Sequence, residues 1–530
     1  MQSYELFMGM STALLVIALL SLHCNVRRDL MMLQQNSYMN DRYVRWFNQS
    51  GESTNYLRIG ACIALLLCLV RHIPFWASIG CAILIMGWIA VSLVKRKYKK
   101  PLVVTKRVNR LYAAIALLSA AITAITWVAT GGDVLYAAVA VVALNVISPL
   151  VMLLANVLLR PVEKHINRKF YNEAKSILQS MPDLKIIGVT GSYGKTSTKH
   201  YLNRILSEKY DVAMTPGNFN TTLGVIRTVR EYLKPYNEVF IVEMGAKQLG
   251  DIKEICDLVN PTMGIVTAVG EQHLESFKTI ENVQRTKFEL VDALPSDGLA
   301  IVNNDFAMAA NRKVDNVKCL RYGVSNIAGA DYSALIDEVT PEGTTFTVKG
   351  EGKEYRFHTR LVGECNISNL TAAVIAALTL GVDEKKIAYA IEKIEQVEHR
   401  LNMKRTAGGV TIIDDAYNSN PTGSKMALDV LSAMTQGKRI VVTPGMVELG
   451  ERQYELNKEL GKYAASRADV IIVVGQYNKD ALSEGLAEGE ASDDKVMFAS
   501  TFNEAQQMLS QILKKGDTVL YENDLPDTFK

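Results

Sequence analysis

Apolar and polar positions divide this chain into two stretches of different rhythm. Within the first 160 residues, five long apolar runs stand at about 6–24, 56–70, 73–94, 111–130 and 134–159. A hydrocarbon core of about 30 Å takes about 20 helical residues to cross, so the runs predict membrane helices. The run 56–70 is short and begins beside Arg58. With the run 73–94 it can also form one interrupted hairpin about Arg71, His72, Ile73 and Pro74. After residue 160 the rhythm changes. "EKHINRKFYNEAKSILQS" has the period of an amphipathic helix that connects the two stretches. Short β-branched runs at 184–190, 238–246, 263–269 and 299–305 then alternate with helical stretches. That alternation predicts an open, largely parallel α/β sheet covered by helices.

Composition changes this picture little, and charge orients it. The 530 residues are 48% hydrophobic and 21% charged, averages that conceal the split. A net charge of +3 gives no reason to expect a nucleic-acid partner. Seven cysteines lack paired spacing, which argues against a disulfide framework or a zinc site. The first run follows Glu5, with no basic residue before it and no small-residue cleavage site close behind, so it does not read as a signal peptide. The segment 95–110 carries eight Lys and Arg, 160–169 carries more, and the link 131–133 carries none. Positive-inside then places 95–110 and everything after 160 on the cytoplasmic side of a cell membrane, with the N-terminus outside. The loop 25–55, with Arg27, Arg28, Arg42 and Arg45, falls inside, and its aromatic, basic stretch suits the inner leaflet. No substrate-coupling charge cluster is expected in the membrane segments, whose Asn145, Pro149 and Asn156 are read as packing residues.

Candidate chemistry begins at "GVTGSYGKTST", residues 188–198, between a predicted strand and a predicted helix. Strand, glycine loop and helix are the context of a phosphate loop, whose backbone N–H groups bind phosphate oxygens. Gly191, Ser192, Tyr193, Gly194, Lys195, Thr196 and Ser197 are therefore candidate ATP contacts. Lys195 would reach the β/γ-phosphates and Thr196 would hold Mg²⁺. Val189 stands where the strict pattern has glycine. Strand ends form the expected site edge. Glu243 ends one predicted strand, His273 follows another, and Lys287 lies on the next predicted helix.

These motifs together resemble the Mur ligase family, most closely its D-alanyl-D-alanine-adding, MurF-type members, over residues 183–520. The blocks that carry the resemblance are "VTGSYGKTSTK", "TPGNFNTTLGV", "VEMGAKQLGDI", "VGEQHLESF", "TKFEL", "VNND", "GECNISNLTAA", "VEHR", "DDAYNSNP" and "GMVELG". The resemblance implies an ATP-dependent ligase that joins a carboxylate to an amine through an acyl phosphate. It implies Thr196 and Glu243 on one Mg²⁺, and His273 with a carbamylated Lys287 on a second. It implies Asn303 at adenine, Arg400 and Asp415 at the phosphates and ribose, and Asn218 near metal and acceptor. The expected domains are 1–160, about five transmembrane helices; 161–182, the connecting helix; 183–398, a central ATP-binding domain; and 399–530, a Rossmann-like C-terminal domain that closes over the nucleotide.

Two departures from the family's pattern bear on substrates. Membrane helices occupy the place of the family's UDP-sugar-binding domain, which points to an acceptor held by a lipid anchor. The family's closing Lys-Gly-Ser-Arg block is replaced by "YENDLPDTFK". Its acids, Glu522, Asp524 and Asp527, suit an incoming ammonium, of an amino acid or dipeptide. Two other readings stand beside a cell-wall ligase. One is a ligase for a capsule or other envelope polymer; the other is a membrane protein with a regulatory ATPase domain.

Overall fold

The computed structural model describes residues 2–70, 73–98, 100–340, 343–397, 400–416 and 419–525. These fall into two compact units that divide, along the chain, between Asn167 and Arg168. Arg71 and His72, centre of the expected interrupted hairpin, lie outside the described residues.

The first unit is helical. Its helices span Gln2–Gln35, Asn40–Gln49, Tyr56–Leu69, Phe75–Lys95 and Lys106–Ala129, and a further helix, Val134–Gln179, starts within it. Among the described residues, five segments are long and apolar enough to cross a bilayer. Small residues such as Ala18, Ala64 and Ala82 are buried between helices, while Leu84 and Leu117 face outward. That is the packing expected where lipid, not water, covers the outer face. The expected boundary at residue 160 carries no break: the last apolar run and the connecting helix are one helix of 46 residues, with Pro149 and Pro161 inside it. Each proline removes one backbone donor, yet the helix runs on, and Ala174 and Leu178 near its end are buried in the second unit's core.

The first unit also holds a buried ionic cluster, most of it from the stretch 25–55, which the sequence predicts as a loop. Asp29 accepts from Arg58 at 3.1 Å, Tyr43 at 3.1 Å and Ser148 at 2.7 Å. Arg28 pairs with Glu52, which also meets Arg96 at 3.4 Å. Arg28, expected in a loop, and Asp29 lie instead on the first helix, which continues to Gln35, well past the apolar run that announces it. Each of these buried charges has an opposite partner, as burial requires.

The second unit is built on two sheets. The first contains β1 (Lys185–Thr190), β2 (Val212–Met214), β3 (Val239–Glu243), β4 (Met263–Val266), β5 (Leu299–Asn303), β6 (Lys318–Gly323), β7 (Tyr332–Thr340), β8 (Gly343–Gly350) and β9 (Lys353–Thr359). Their order is β2-β3-β1-β4-β5-β6-β7-β8-β9. The pairs from β2 to β7 are parallel, and β8 and β9 add as an antiparallel meander. Strands such as "VFIVE" are apolar nearly throughout because both faces are covered. In β3, Val239 and Ile241 enter one core and Phe240 and Val242 the other. The second sheet has β10 (Asn402–Arg405), β11 (Thr411–Asp415), β12 (Arg439–Thr443), β13 (Val470–Val474), β14 (Val496–Ala499) and β15 (Thr518–Glu522), in the order β10-β11-β15-β12-β13-β14. Within it β10 pairs antiparallel and the other strands pair parallel.

β1 lies between β3 and β4. The chain leaves β1 toward β2 on one side and β4 toward β5 on the other, and such a switch point opens a crevice at the strands' C-terminal ends. The fold places its candidate chemistry there.

Candidate active site

The glycine loop leaves β1 at Thr190 and enters the helix Lys195–Leu206. Gly191 has φ 150° and Gly194 has φ 77°. A Cβ on Gly191 would meet Thr267 and the Ala268 backbone, and one on Gly194 would meet the Asn369 amide. Glycine is thus required at both positions by space as well as by torsion. Ser192 N donates to Ala268 O at 2.8 Å, and Ser192 Oγ donates to Gly270 O at 2.9 Å. Thr267 donates to the carbonyl of Tyr193. The Tyr193 ring packs 5.7 Å from that of Phe306. Ser197 is buried in the first helical turn.

Lys195 folds back over the loop, donating to Gly191 O at 2.7 Å and Ser192 O at 3.2 Å. Burial lowers its ammonium to about 8, with Glu243 opposing and Arg400 adding to the fall. Glu243 ends β3 in register with Val189 of β1, which sets it beside the loop. Its Oε1 accepts from Thr196 Oγ1 and Asn220 Nδ2, both at 3.1 Å. Its buried Oε2 ion-pairs with Lys199 Nζ at 2.9 Å but accepts no well-aligned hydrogen bond among the described residues. A buried carboxylate oxygen with unmet accepting capacity, next to a threonine hydroxyl, fits a hard cation.

A second group lies around Lys287, on the helix Ile280–Asp292. Lys287 is 2% exposed, and its Nζ stands 5.9 Å from the centre of the Phe277 ring. Burial, and then Lys195, push its ammonium well below the ordinary lysine value. His273 contacts Glu448 through Nδ1, and Lys247 Nζ reaches the same carboxylate at 3.3 Å. Burial holds His273 below its ordinary value, with Glu448 opposing and the nearby lysines adding to the fall. Because a carboxylate only accepts, Nδ1 is the donor in this contact.

The second sheet contributes Arg400 and Asp415. Arg400 is near enough to depress Lys195 and to oppose the rise of Asp415, whose carboxyl burial pushes up to about 6. Leu401 N donates to Asp415 Oδ1 at 3.2 Å. Glu398 and His399 of the "VEHR" block, and Tyr417 and Asn418 of "DDAYNSNP", lie outside the described residues.

The structure thus brings Lys195, Thr196, Glu243 and Arg400 together and sets His273 and Lys287 as a second group. Three expected residues stand differently. Asn218 is exposed, and the amide on Glu243 belongs to Asn220, two residues on. Asn303 is buried, donating to Thr267 O and Ser368 Oγ, both at 2.9 Å, so its amide nitrogen is committed inside the fold. Glu522 is not a surface acid: it is 1% exposed and accepts from Ser419, Ser424 and Thr443. It is the last residue of β15 and is enclosed within its own sheet's layers, which a charge count does not reveal. Asp527 lies outside the described residues. Lys199, Asn220 and Glu448 join the site without having been expected there. A signal existed for Lys199, which lies one helical turn after Lys195 and so on the same face.

Comparison with known proteins gives the family. The Mur ligase middle domain matches residues 189–377, and the Mur ligase glutamate ligase domain matches residues 399–521. A UDP-N-acetylmuramoyl-tripeptide–D-alanyl-D-alanine ligase of Bacillus subtilis is 32% identical over 354 residues, 66% of this chain and 75% of that protein. The crystal structure of MurF from Acinetobacter baumannii superposes with a TM-score of 0.61 at 28% identity, covering 68% of this chain and 77% of that one. MurF ligase from Thermotoga maritima in complex with ADP gives 0.60 at 27% identity, covering 68% and 80%. The fold and its relatives define an ATP-dependent carbon–nitrogen ligase. This chain belongs to the Mur ligase family, and these relatives are of MurF type.

Proposed function

We propose that this protein is a membrane-anchored ligase that uses ATP to join an amine to the carboxylate of a peptidoglycan-type precursor presented at the membrane surface. One observation carries the reading: Lys195, Thr196 and Glu243 meet at the C-terminal end of β1 with Arg400 close by, on a chain that also has five bilayer-length apolar segments. The Bacillus subtilis relative is named for a muramoyl-tripeptide and D-alanyl-D-alanine, which supports a muramoyl-peptide carboxylate and an amino acid or dipeptide as amine. In this reading residues 1–160 anchor the protein with its N-terminus outside, and 161–182 lead to the cytoplasmic domains. Residues 183–398 and 399–530 form the ATP-binding and the C-terminal, Rossmann-like domains.

The substrate carboxylate oxygen attacks the γ-phosphorus of ATP. The bond to the β-phosphate oxygen breaks, ADP leaves, and an acyl phosphate forms. The amine nitrogen then attacks the acyl carbon, the bond to the phosphate oxygen breaks, and the nitrogen gives up a proton as the amide forms. Backbone N–H groups of Tyr193–Ser197 and the Lys195 ammonium would hold the triphosphate, since such transfers depend mainly on charge stabilisation and positioning. Mg²⁺, when bound, neutralises phosphate charge. Thr196 and Glu243 would hold one ion, and His273 with carbamylated Lys287 a second. A buried lysine with a depressed pKa presents the neutral amine that CO₂ requires, and the carbamate becomes an oxygen ligand. Arg400 and Asp415 serve phosphate and ribose, and Asn218 stands toward the acceptor; Asn303, with its amide bonded inside the fold, would support the adenine side from behind.

Anchoring confines enzyme and a lipid-linked acceptor to one surface and raises their encounter rate. The test gives detergent-solubilised full-length protein ATP with a lipid-linked or a soluble nucleotide-linked acceptor, and follows phosphate release and product mass. Preference for the lipid-linked acceptor supports the reading. Equal use of both leaves the helices as an anchor only, and turnover of neither acceptor refutes the substrate class.

A further inference from the structure

Glu448 has no part in the chemistry above, yet two other segments converge on it. Its carboxylate meets His273 Nδ1 and Lys247 Nζ, and its backbone carbonyl accepts from Glu275 N at 3.1 Å. His273 and Glu448 both hold left-handed backbone, at φ 52° and 63°. Non-glycine residues seldom do so, and two that face each other mark a contact the surrounding structure maintains. Gly450 completes the approach: a Cβ there would stand 3.2 Å from the Glu275 backbone. Arg452 ion-pairs with Glu271 across the same junction. His273 follows β4 in the first sheet, whereas Glu448 follows β12 in the second.

A carboxylate only accepts hydrogen bonds, so the proton between the two groups is carried by Nδ1. A neutral imidazole protonated there keeps its lone pair on Nε2. Carboxylates that accept from the far nitrogen of a ligating histidine fix both its tautomer and its ring orientation.

We infer that Glu448 is a positioning residue supplied by the second sheet, which holds His273 with Nε2 as the ligating nitrogen, so that the metal site beside Lys287 is complete only when the loop 444–452 is seated on the loop 269–278. This rests on the proposed role of His273 as a metal ligand. Metal binding and seating of the C-terminal loop then favour one another by the same factor. In this role Glu448 acts through His273.

The experiment uses full-length protein in detergent with Mn²⁺ and a non-hydrolysable ATP analogue, and counts bound Mn²⁺ by electron paramagnetic resonance. Wild type is expected to bind two ions. Glu448→Ala should weaken one of them roughly 10–100-fold, the usual cost of losing such an outer partner, and leave the other unchanged. Glu448→Gln keeps an accepting carbonyl and should restore most of the loss. In a His273→Ala background, Glu448→Ala should have no further effect, because its route to the metal is gone. Arg452→Ala loosens the same junction but keeps Glu448 on His273, so it should weaken the affected ion much less than Glu448→Ala does, which separates ring positioning from general docking. Two ions bound with wild-type affinity by a folded Glu448→Ala protein would overturn the inference alone. Absence of any nucleotide-dependent Mn²⁺ binding by wild type would overturn the ligase site and the inference with it.

Discussion

Replacing Glu522 with glutamine should flatten the pH dependence of stability in the second sheet. Burial pushes this carboxyl from 4.5 up to about 7; the hydroxyls of Ser419, Ser424 and Thr443 oppose the rise, and Asp415 adds to it. Between those two values the folded chain holds a proton that the unfolded chain has released. A native state that binds more protons loses stability as pH rises. Glu522 therefore destabilises least below pH 4.5, its cost grows through the window to about 7, and it is fully present above. A shift of 7 minus 4.5, at 1.36 kcal/mol per unit, makes that cost about 3 kcal/mol.

The assay must see the second sheet. All four tryptophans, at 46, 76, 88 and 127, lie in the helical unit, so intrinsic fluorescence is the wrong probe. Hydrogen exchange of peptides covering 419–425 and 518–523, corrected for the intrinsic pH dependence of exchange, reports the right region. Asp415, itself pushed up to about 6, gives wild type and variant alike a slope of the same sign, so the difference between the two proteins isolates Glu522. Between pH 5 and pH 8 wild type should lose more protection than Glu522→Gln, the difference approaching about 3 kcal/mol of opening free energy. The variant should be the better protected protein at pH 8. Equal slopes in the two proteins would refute the reasoning, and would show that the three hydroxyls hold Glu522 ionised at no cost.

Other outcomes follow from the proposed site. Lys195→Ala should reduce turnover by about 10²-fold or more, because the γ-phosphate loses its nearest ammonium; turnover within twofold of wild type would remove Lys195 from the reaction. Lys287→Ala should be nearly inactive and partly restored by short carboxylates, whereas a crystal structure of an active preparation with an unmodified Lys287 amine would exclude carbamylation. A cysteine at Gly132 should be labelled from outside intact cells and one at Tyr98 should not, in a background lacking the exposed Cys62 and Cys81; the reverse pattern would invert the topology.

What can be read from the sequence follows from how local each signal is. β1, β3, β4 and β5 are legible because parallel strands buried on both faces are continuous apolar runs. The meander is not: "KEYRFHT" in β9 alternates buried and exposed residues, and its charged half obscures the strand. The helix Val134–Gln179 reads as two elements because its composition changes from apolar to charged while its backbone does not.

The site divides along the same line. The glycine loop is contiguous, and Glu243 ends a legible strand, so both can be placed from sequence. Lys199 and Glu243 are 44 residues apart (243 minus 199), and His273 and Glu448 are 175 apart. No periodicity carries information over such separations; only the fold makes these residues neighbours. The same holds for Glu522, whose charge suggests an exposed acid and whose surroundings are three hydroxyls. Sequence identifies chemical groups, while burial and partners decide which of them remain available. Lys287 is buried with no carboxylate in ion-pair contact among the described residues, and so is available for modification; Glu522, enclosed and bonded, is available only for a proton.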